Sequence, residues 1–139
     1  TRAEIARIAK RRASFTNEHP RKDGESVLQH VKRLAKAKKL DEDLITDAMA
    51  MRERTFVIAA LAHLSKSKEG DIEKIMAMRS AKSILSLCWH CKLSMRFALR
   101  VQQDIAHLQK DELIYPKDGT DYPLPEADMK WQLEFLSIA

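Results

Sequence analysis

Apolar residues in this chain recur at helical spacing far more often than they alternate. Between Arg2 and Ala13, Ile5, Ile8 and Ala9 share one face while Arg7, Lys10, Arg11 and Arg12 lie mostly elsewhere, which predicts a first helix. Phe15 to Asp23 contains Asn17, Pro20 and Asp23 and reads as a loop. Gly24 and Ser26 then lead into a clear amphipathic pattern of Val27, Leu28, Val31, Leu34 and Ala35. Asp41 or Asp43 suits the cap of a helix carrying Leu44, Ile45, Ala48 and Met49. A bend is expected after Arg52, because Phe56, Val57, Ala60, Leu61 and Leu64 form a separately phased stripe. Ser67 to Asp71 is a turn signal with Asp71 as the expected cap, followed by Ile72, Ile75 and Met76, then Ile84, Leu85, Cys88 and Cys91. Ser94 opens a last long helix in which Met95, Ala98, Val101, Ile105 and Leu108 keep the period.

From Lys110 the character changes. Tyr115-Pro116, Asp118-Gly119 and Tyr122-Pro123-Leu124-Pro125 forbid continuous helix and predict an ordered loop. Pro125, Glu126 and Asp128 suit a helix first turn. Met129, Trp131, Leu133 and Phe135 alternate, and a short helix docking on the body is the favoured reading over an extended tail. Tyr122, Trp131 and Phe135 are expected to cover the core of this chain or of a neighbouring copy. A faint repeat also runs through the middle: Met49-Ala50-Met51-Arg52 recurs as Met76-Ala77-Met78-Arg79, 27 positions later, with Ile45 matching Ile72, Val57 matching Ile84, and His63 matching His90. The fold class is therefore all-α: stacked antiparallel helix pairs, as a HEAT-like right-handed superhelix or a compact bundle, with an ordered C-terminal loop and short helix. We expect one domain over 1–139, with a basic helix and loop at 1–22, a helix-pair body at 23–109, and a docked loop and helix at 110–139.

Composition narrows the function classes. The chain has 139 residues, 45% hydrophobic and 32% charged, a balance that supports a packed core and argues against disorder. No apolar run reaches the length of a membrane span, and Thr1-Arg2-Ala3-Glu4 does not open a signal peptide. Thr1 is not an initiator, so a piece of a longer chain is expected. Two cysteines cannot build a disulfide scaffold, which favours a reducing cytoplasm. Charge is polarised: residues 1–40 hold twelve Lys or Arg against four Asp or Glu, whereas residues 110–139 hold three against seven. Such a dipole can steer an encounter with an anionic partner, although solvated helix faces produce the same pattern.

Candidate chemistry is sparse. Cys88-Trp89-His90-Cys91 is a C-x-x-C, but it lies inside a helix without a preceding strand and has no second cysteine pair to complete a zinc site. Both thiols share the stripe of Ile84 and Leu85, so burial is the expected role. His30, followed by Lys32 and Arg33, reads as a polar border residue rather than a phosphoryl-accepting nucleophile. Asp41, Glu42 and Asp43 cluster where helix capping explains them. No phosphate loop, metalloprotease motif, nucleophile elbow or EF-hand pattern is present, so no catalytic, cofactor-binding or metal-ligating residue is assigned. Arg7, Lys10 and Arg11, with Lys32, Arg33, Lys36, Lys38 and Lys39, could meet nucleic-acid phosphates without reading sequence.

One resemblance adds to this reading. The strings Leu87 to Arg96, Val101-Gln102-Gln103, Tyr115 to Leu124 and Met129 to Phe135 resemble the C-terminal part of an alphaproteobacterial family of uncharacterised proteins, the domain of unknown function numbered 2336. The similarity runs from about Ser26 to the end, and the tail is its most specific part. The resemblance implies a helical, HEAT-like shape and a bacterial cytoplasmic setting; it implies no activity. The cysteine pair is not part of the usual family pattern. We therefore expect a non-enzymatic helical-repeat module that binds another protein, with Arg96 and Arg100 as favoured contacts and Lys32, Arg33 and Lys36 as a competing patch. Sequence-nonspecific nucleic-acid binding through the basic N-terminal helices is the alternative. No membrane contact is expected, and self-association is left open.

Overall fold

The computed structural model describes residues 1–138, and those residues are helical apart from their connections. Eight helices follow in order: α1 (Arg2–Glu18), α2 (Val27–Lys36), α3 (Glu42–Ala50), α4 (Arg54–Ser65), α5 (Glu69–Ala77), α6 (Ala81–His90), α7 (Met95–Asp104) and α8 (Glu126–Phe135). The chain divides into two compact units, Thr1–His63 and Leu64–Ala139, with the boundary inside α4.

In the first unit, α1 continues through the stretch expected to be a loop. Pro20 disfavours helical backbone only at the residue before it, so the helix runs to Glu18, and His19 N–H still reaches the Phe15 carbonyl at 2.8 Å. The expected apolar face of this helix is not a core face: none of its residues is buried, and Ile5 is 68% exposed. What ties α1 down lies in its second half. Arg12 Nε donates to the Met51 carbonyl at 2.9 Å, and the Phe15 ring meets Phe56 edge-on at 5.4 Å. Helix α2 starts at a capping box in which Ser26 Oγ accepts from Gln29 N–H and Gln29 Oε1 accepts from Ser26 N–H. Asp41, not Asp43, caps α3, accepting from Leu44 N–H at 2.9 Å. In α4, Phe56 to Ala62 are all buried, so this helix is apolar all round and lies in the core.

In the second unit, Asp71 is not the cap of α5 but its third residue. Lys68 takes the cap position, and the Asp71 carboxylate accepts from Lys68 N–H at 3.3 Å, which lets Gly70 join the first turn. Helix α6 is the hub: Ser83 to Cys88 are buried without interruption, and it packs against both α7 and α8. Helix α7 ends at Asp104, one turn earlier than its periodicity indicates, although Ile105 and Leu108 remain buried. The following loop is fixed by polar contacts. Gln102, fully buried, donates to the Ile114 carbonyl at 3.1 Å and accepts from Ile114 N–H at 2.9 Å. Tyr122 OH donates to the Leu93 carbonyl at 2.7 Å. Asp118 and Gly119, at φ 53° and 81°, turn the chain so that Lys117 N–H meets the Asp121 carbonyl. Helix α8 docks by Met129 and Leu133, with Ser83 Oγ 3.2 Å from Gln132 Oε1. Trp131 and Phe135 do not cover this chain's core; they are 61% and 66% exposed.

The repeat has a structural counterpart. Helices α3 and α5 begin and end 27 positions apart, and Arg52 and Arg79 follow them in the left-handed conformation at φ 61° and 54°. Lys38, Lys66, Lys92 and His107 end α2, α4, α6 and α7 in the same way. A left-handed residue thus closes each of these six helices, where glycine is usual; the lysine and arginine side chains among them place positive charge at the negative ends of their helices instead.

Candidate functional site

Each candidate from the sequence has a definite environment. Cys88 and Cys91 are both buried, neither forms a disulfide, and burial pushes the Cys91 thiol up to about 12. A thiol held protonated in this way is neither a nucleophile nor a ready metal ligand. Among the described residues, no group of three or more His, Cys, Asp or Glu side chains is gathered so as to hold a metal ion. No described helix is long and apolar enough to cross a membrane.

The five candidate contact residues divide by what they touch. Arg33 is a structural residue: its guanidinium spans Glu25, with both contacts at 2.9 Å, and the Pro20 carbonyl at 2.7 Å. That bidentate grip holds the Glu25 carboxyl at about 2, well below its ordinary value. Lys32 and Lys36 are exposed on α2. Arg100 is engaged with Asp104 one turn along at 2.9 Å, whereas Arg96 is exposed at the start of α7. Arg79, which sequence reasoning took only as a repeat marker, reaches the Ala106 and His107 carbonyls and pairs with Glu112 at 2.7 Å.

Two features stand out as places where something could bind. One is the Trp131–Phe135 pair on α8, with stacked rings at a centroid distance of 5.9 Å and an interplanar angle of 14°. Both rings face solvent, and Glu126, Asp128 and Glu134 lie on the same helix. The other is a cleft of about 390 Å³ in the first unit, lined by Arg12, Phe15, His19, Arg21, His30 and Phe56 among others. Here His30, only 4% exposed, is a core residue and not a helix border. Burial, with the nearby Arg33 charge adding to it, lowers its pKa and keeps the imidazole neutral. The spacing Val27, His30, Val31, Leu34 is i, i+3, i+4, i+7, so this position belongs to the buried face of α2.

No curated protein and no solved structure matches the chain. A family model described as an uncharacterised protein conserved in bacteria matches residues 1–120. The match takes in the basic helix α1 and stops before α8, so Met129 to Phe135 lie outside it. With that much of its length matched, the chain belongs to the bacterial family of uncharacterised proteins DUF2336.

Proposed function

We propose that the chain is a non-enzymatic helical module that binds another protein, and that α8 carries part of the contact surface. The observation behind this reading is the exposed Trp131–Phe135 stack. Two large rings held in water on a helix otherwise anchored by Met129 and Leu133 form an apolar patch with an acidic surround. Buried aromatic anchors dominate protein interfaces, and truncating one typically costs about 2 kcal/mol or more of binding energy. Exposed Arg96 is a further contact on this reading. The 27-residue recurrence of helix ends supports treating the helix pairs as HEAT-like units. The buried, unoxidised cysteines fit a cytoplasmic protein, and the tail string favours an alphaproteobacterial source.

Sequence-nonspecific nucleic-acid binding is the second reading, favoured by one observation: α1 buries none of its residues and exposes Arg2, Arg7, Lys10 and Arg11. Capture from bacterial lysate with and without nuclease separates the two. Protein partners that survive nuclease and are lost from a folded Trp131→Ser/Phe135→Ser variant support the module. Capture that vanishes with nuclease, with affinity falling steeply as salt rises, supports the alternative.

A further inference from the structure

We propose that α8 of one copy docks on the first half of α1 of a second copy, with Trp131 and Phe135 against Ile5 and Ile8 and with Asp128 and Glu134 meeting Arg2 and Arg11. This inference rests on the reading of α8 as a contact surface and names its occupant. Both faces belong to one chain, and each carries what the other lacks. On α8, Met129 and Leu133 are buried while Trp131 and Phe135, four apart, are 61% and 66% exposed. Asp128 lies three residues before Trp131 and Glu134 three after it, so exposed carboxylates flank the stacked rings.

Helix α1 presents the opposite arrangement. Ile5, Ile8, Arg12 and Phe15 are spaced i, i+3, i+7 and i+10, which makes one stripe along the helix. The second half of the stripe is anchored, by Arg12 on the Met51 carbonyl and by Phe15 on Phe56. The first half is not: Ile5 is 68% exposed, Ile8 is half-buried, and α1 buries none of its residues. A capped helical segment without apolar cover is only marginally stable in water, so this half gains from a partner. Arg2 lies three residues before Ile5 and Arg11 three after Ile8, and both are exposed.

Charge selects this pairing. Among the described residues, Arg2 and Arg11 make no ion pair, and neither do Asp128 and Glu134, so unneutralised charges of opposite sign border the two uncovered apolar faces. The lengths agree as well. At about 1.5 Å per residue, Arg2 to Arg11 spans about 14 Å and Asp128 to Glu134 about 9 Å, a difference that long arginine side chains cover. An arginine brought beside the Trp131 ring gains a cation–π attraction in addition. Because the two faces differ, the contact is heterologous: one copy offers α8 and the next offers α1.

The test is sedimentation velocity of the full chain over a range of concentrations. The wild type is expected to associate reversibly, with affinity falling about threefold or more between about 0.05 and 0.5 M salt. Trp131→Ser/Phe135→Ser and Ile5→Asp/Arg11→Glu, each shown to be folded by circular dichroism, are expected to weaken association by about thirtyfold or more. Arg2→Glu/Arg11→Glu, which leaves every apolar contact in place, repeats the α1 test with an expected loss of about tenfold. An equimolar mixture of Trp131→Ser/Phe135→Ser with Ile5→Asp/Arg11→Glu is expected to form a one-to-one heterodimer, because it retains one native α1 face and one native α8 face. Amide exchange over residues 5–11 is expected to slow as wild-type concentration rises. The proposal is overturned if the wild type stays monomeric at about 500 µM, if either folded face variant associates as the wild type does, or if the mixture stays monomeric. A monomeric wild type whose capture of other proteins still depends on Trp131 and Phe135 overturns the second copy as occupant and leaves α8 as a contact surface.

Discussion

Gln102 is the residue on which the second unit's long loop depends, and replacing it tests that dependence. Its amide makes two hydrogen bonds to one residue, Ile114, from a fully buried position on α7. Leucine is close to glutamine in volume, so Gln102→Leu leaves no cavity and isolates the polar contribution. Each hydrogen bond contributes about 1 kcal/mol net, and stranding the half-buried Ile114 N–H and carbonyl adds a desolvation cost, for a loss of about 2–4 kcal/mol in all. For a chain of this size that lowers the melting temperature by about 8–16 °C. Urea denaturation followed by tryptophan fluorescence reports the relevant unit, because both tryptophans, Trp89 and Trp131, belong to it. Amide exchange at Ile114 should accelerate at the same time. A Gln102→Leu loss below about 0.5 kcal/mol, with Ile114 protection unchanged, would refute the view that this side chain fixes the loop.

Three further outcomes are expected. Lys92 is exposed and left-handed at φ 62°, so Lys92→Gly should raise stability by about 0.5–1 kcal/mol in chemical denaturation; a loss would show that the lysine makes a contact that matters. Because burial pushes the Cys91 thiol up to about 12, iodoacetamide at pH 8 should label it only after unfolding, and mass spectrometry showing native labelling at the unfolded rate would contradict its placement. Acid should destabilise the first unit in two ranges, since His30 and Glu25 both bind protons less readily folded than unfolded. The His30 contribution is lost as pH falls below 6.5, and that of Glu25 as pH falls from 4.5 towards about 2. Thermal melts against pH should show both declines, with Glu25→Gln reducing the lower one, to which Glu112 in the second unit also contributes.

The sequence disclosed most about features encoded within one turn of helix. Ser94 was legible as a cap, and Asp41 as one of two candidates with Asp43, because a short polar side chain before an apolar run has few other uses. The docked α8 was legible from Pro125 and its acidic first turn. The extension of α1 was not: Thr16 and Asn17 resemble turn residues, and only the spacing to Pro20 permits the extra turn. Asp71 showed the limit of capping rules, since an aspartate at the third helical position and one at the cap give similar local signals. Of the two expectations for Trp131 and Phe135, cover of this chain's own core is not met, because Met129 and Leu133, four apart, are enough to dock the helix. The first-unit cleft was the least legible feature. Its residues come from α1, α2, α4 and two connections, and only folding brings Arg12, His19, His30 and Phe56 together. A clue did exist in His30, which occupies the helical register of Val27, Val31 and Leu34.

The most direct test of the interaction role is to compare capture by wild-type protein and by Trp131→Ser/Phe135→Ser from nuclease-treated bacterial lysate, after circular dichroism and melting have shown that both are folded. The account predicts a reproducible set of proteins bound by the wild type and lost from the variant. Identical capture by both proteins, or capture that disappears entirely with nuclease, would contradict it.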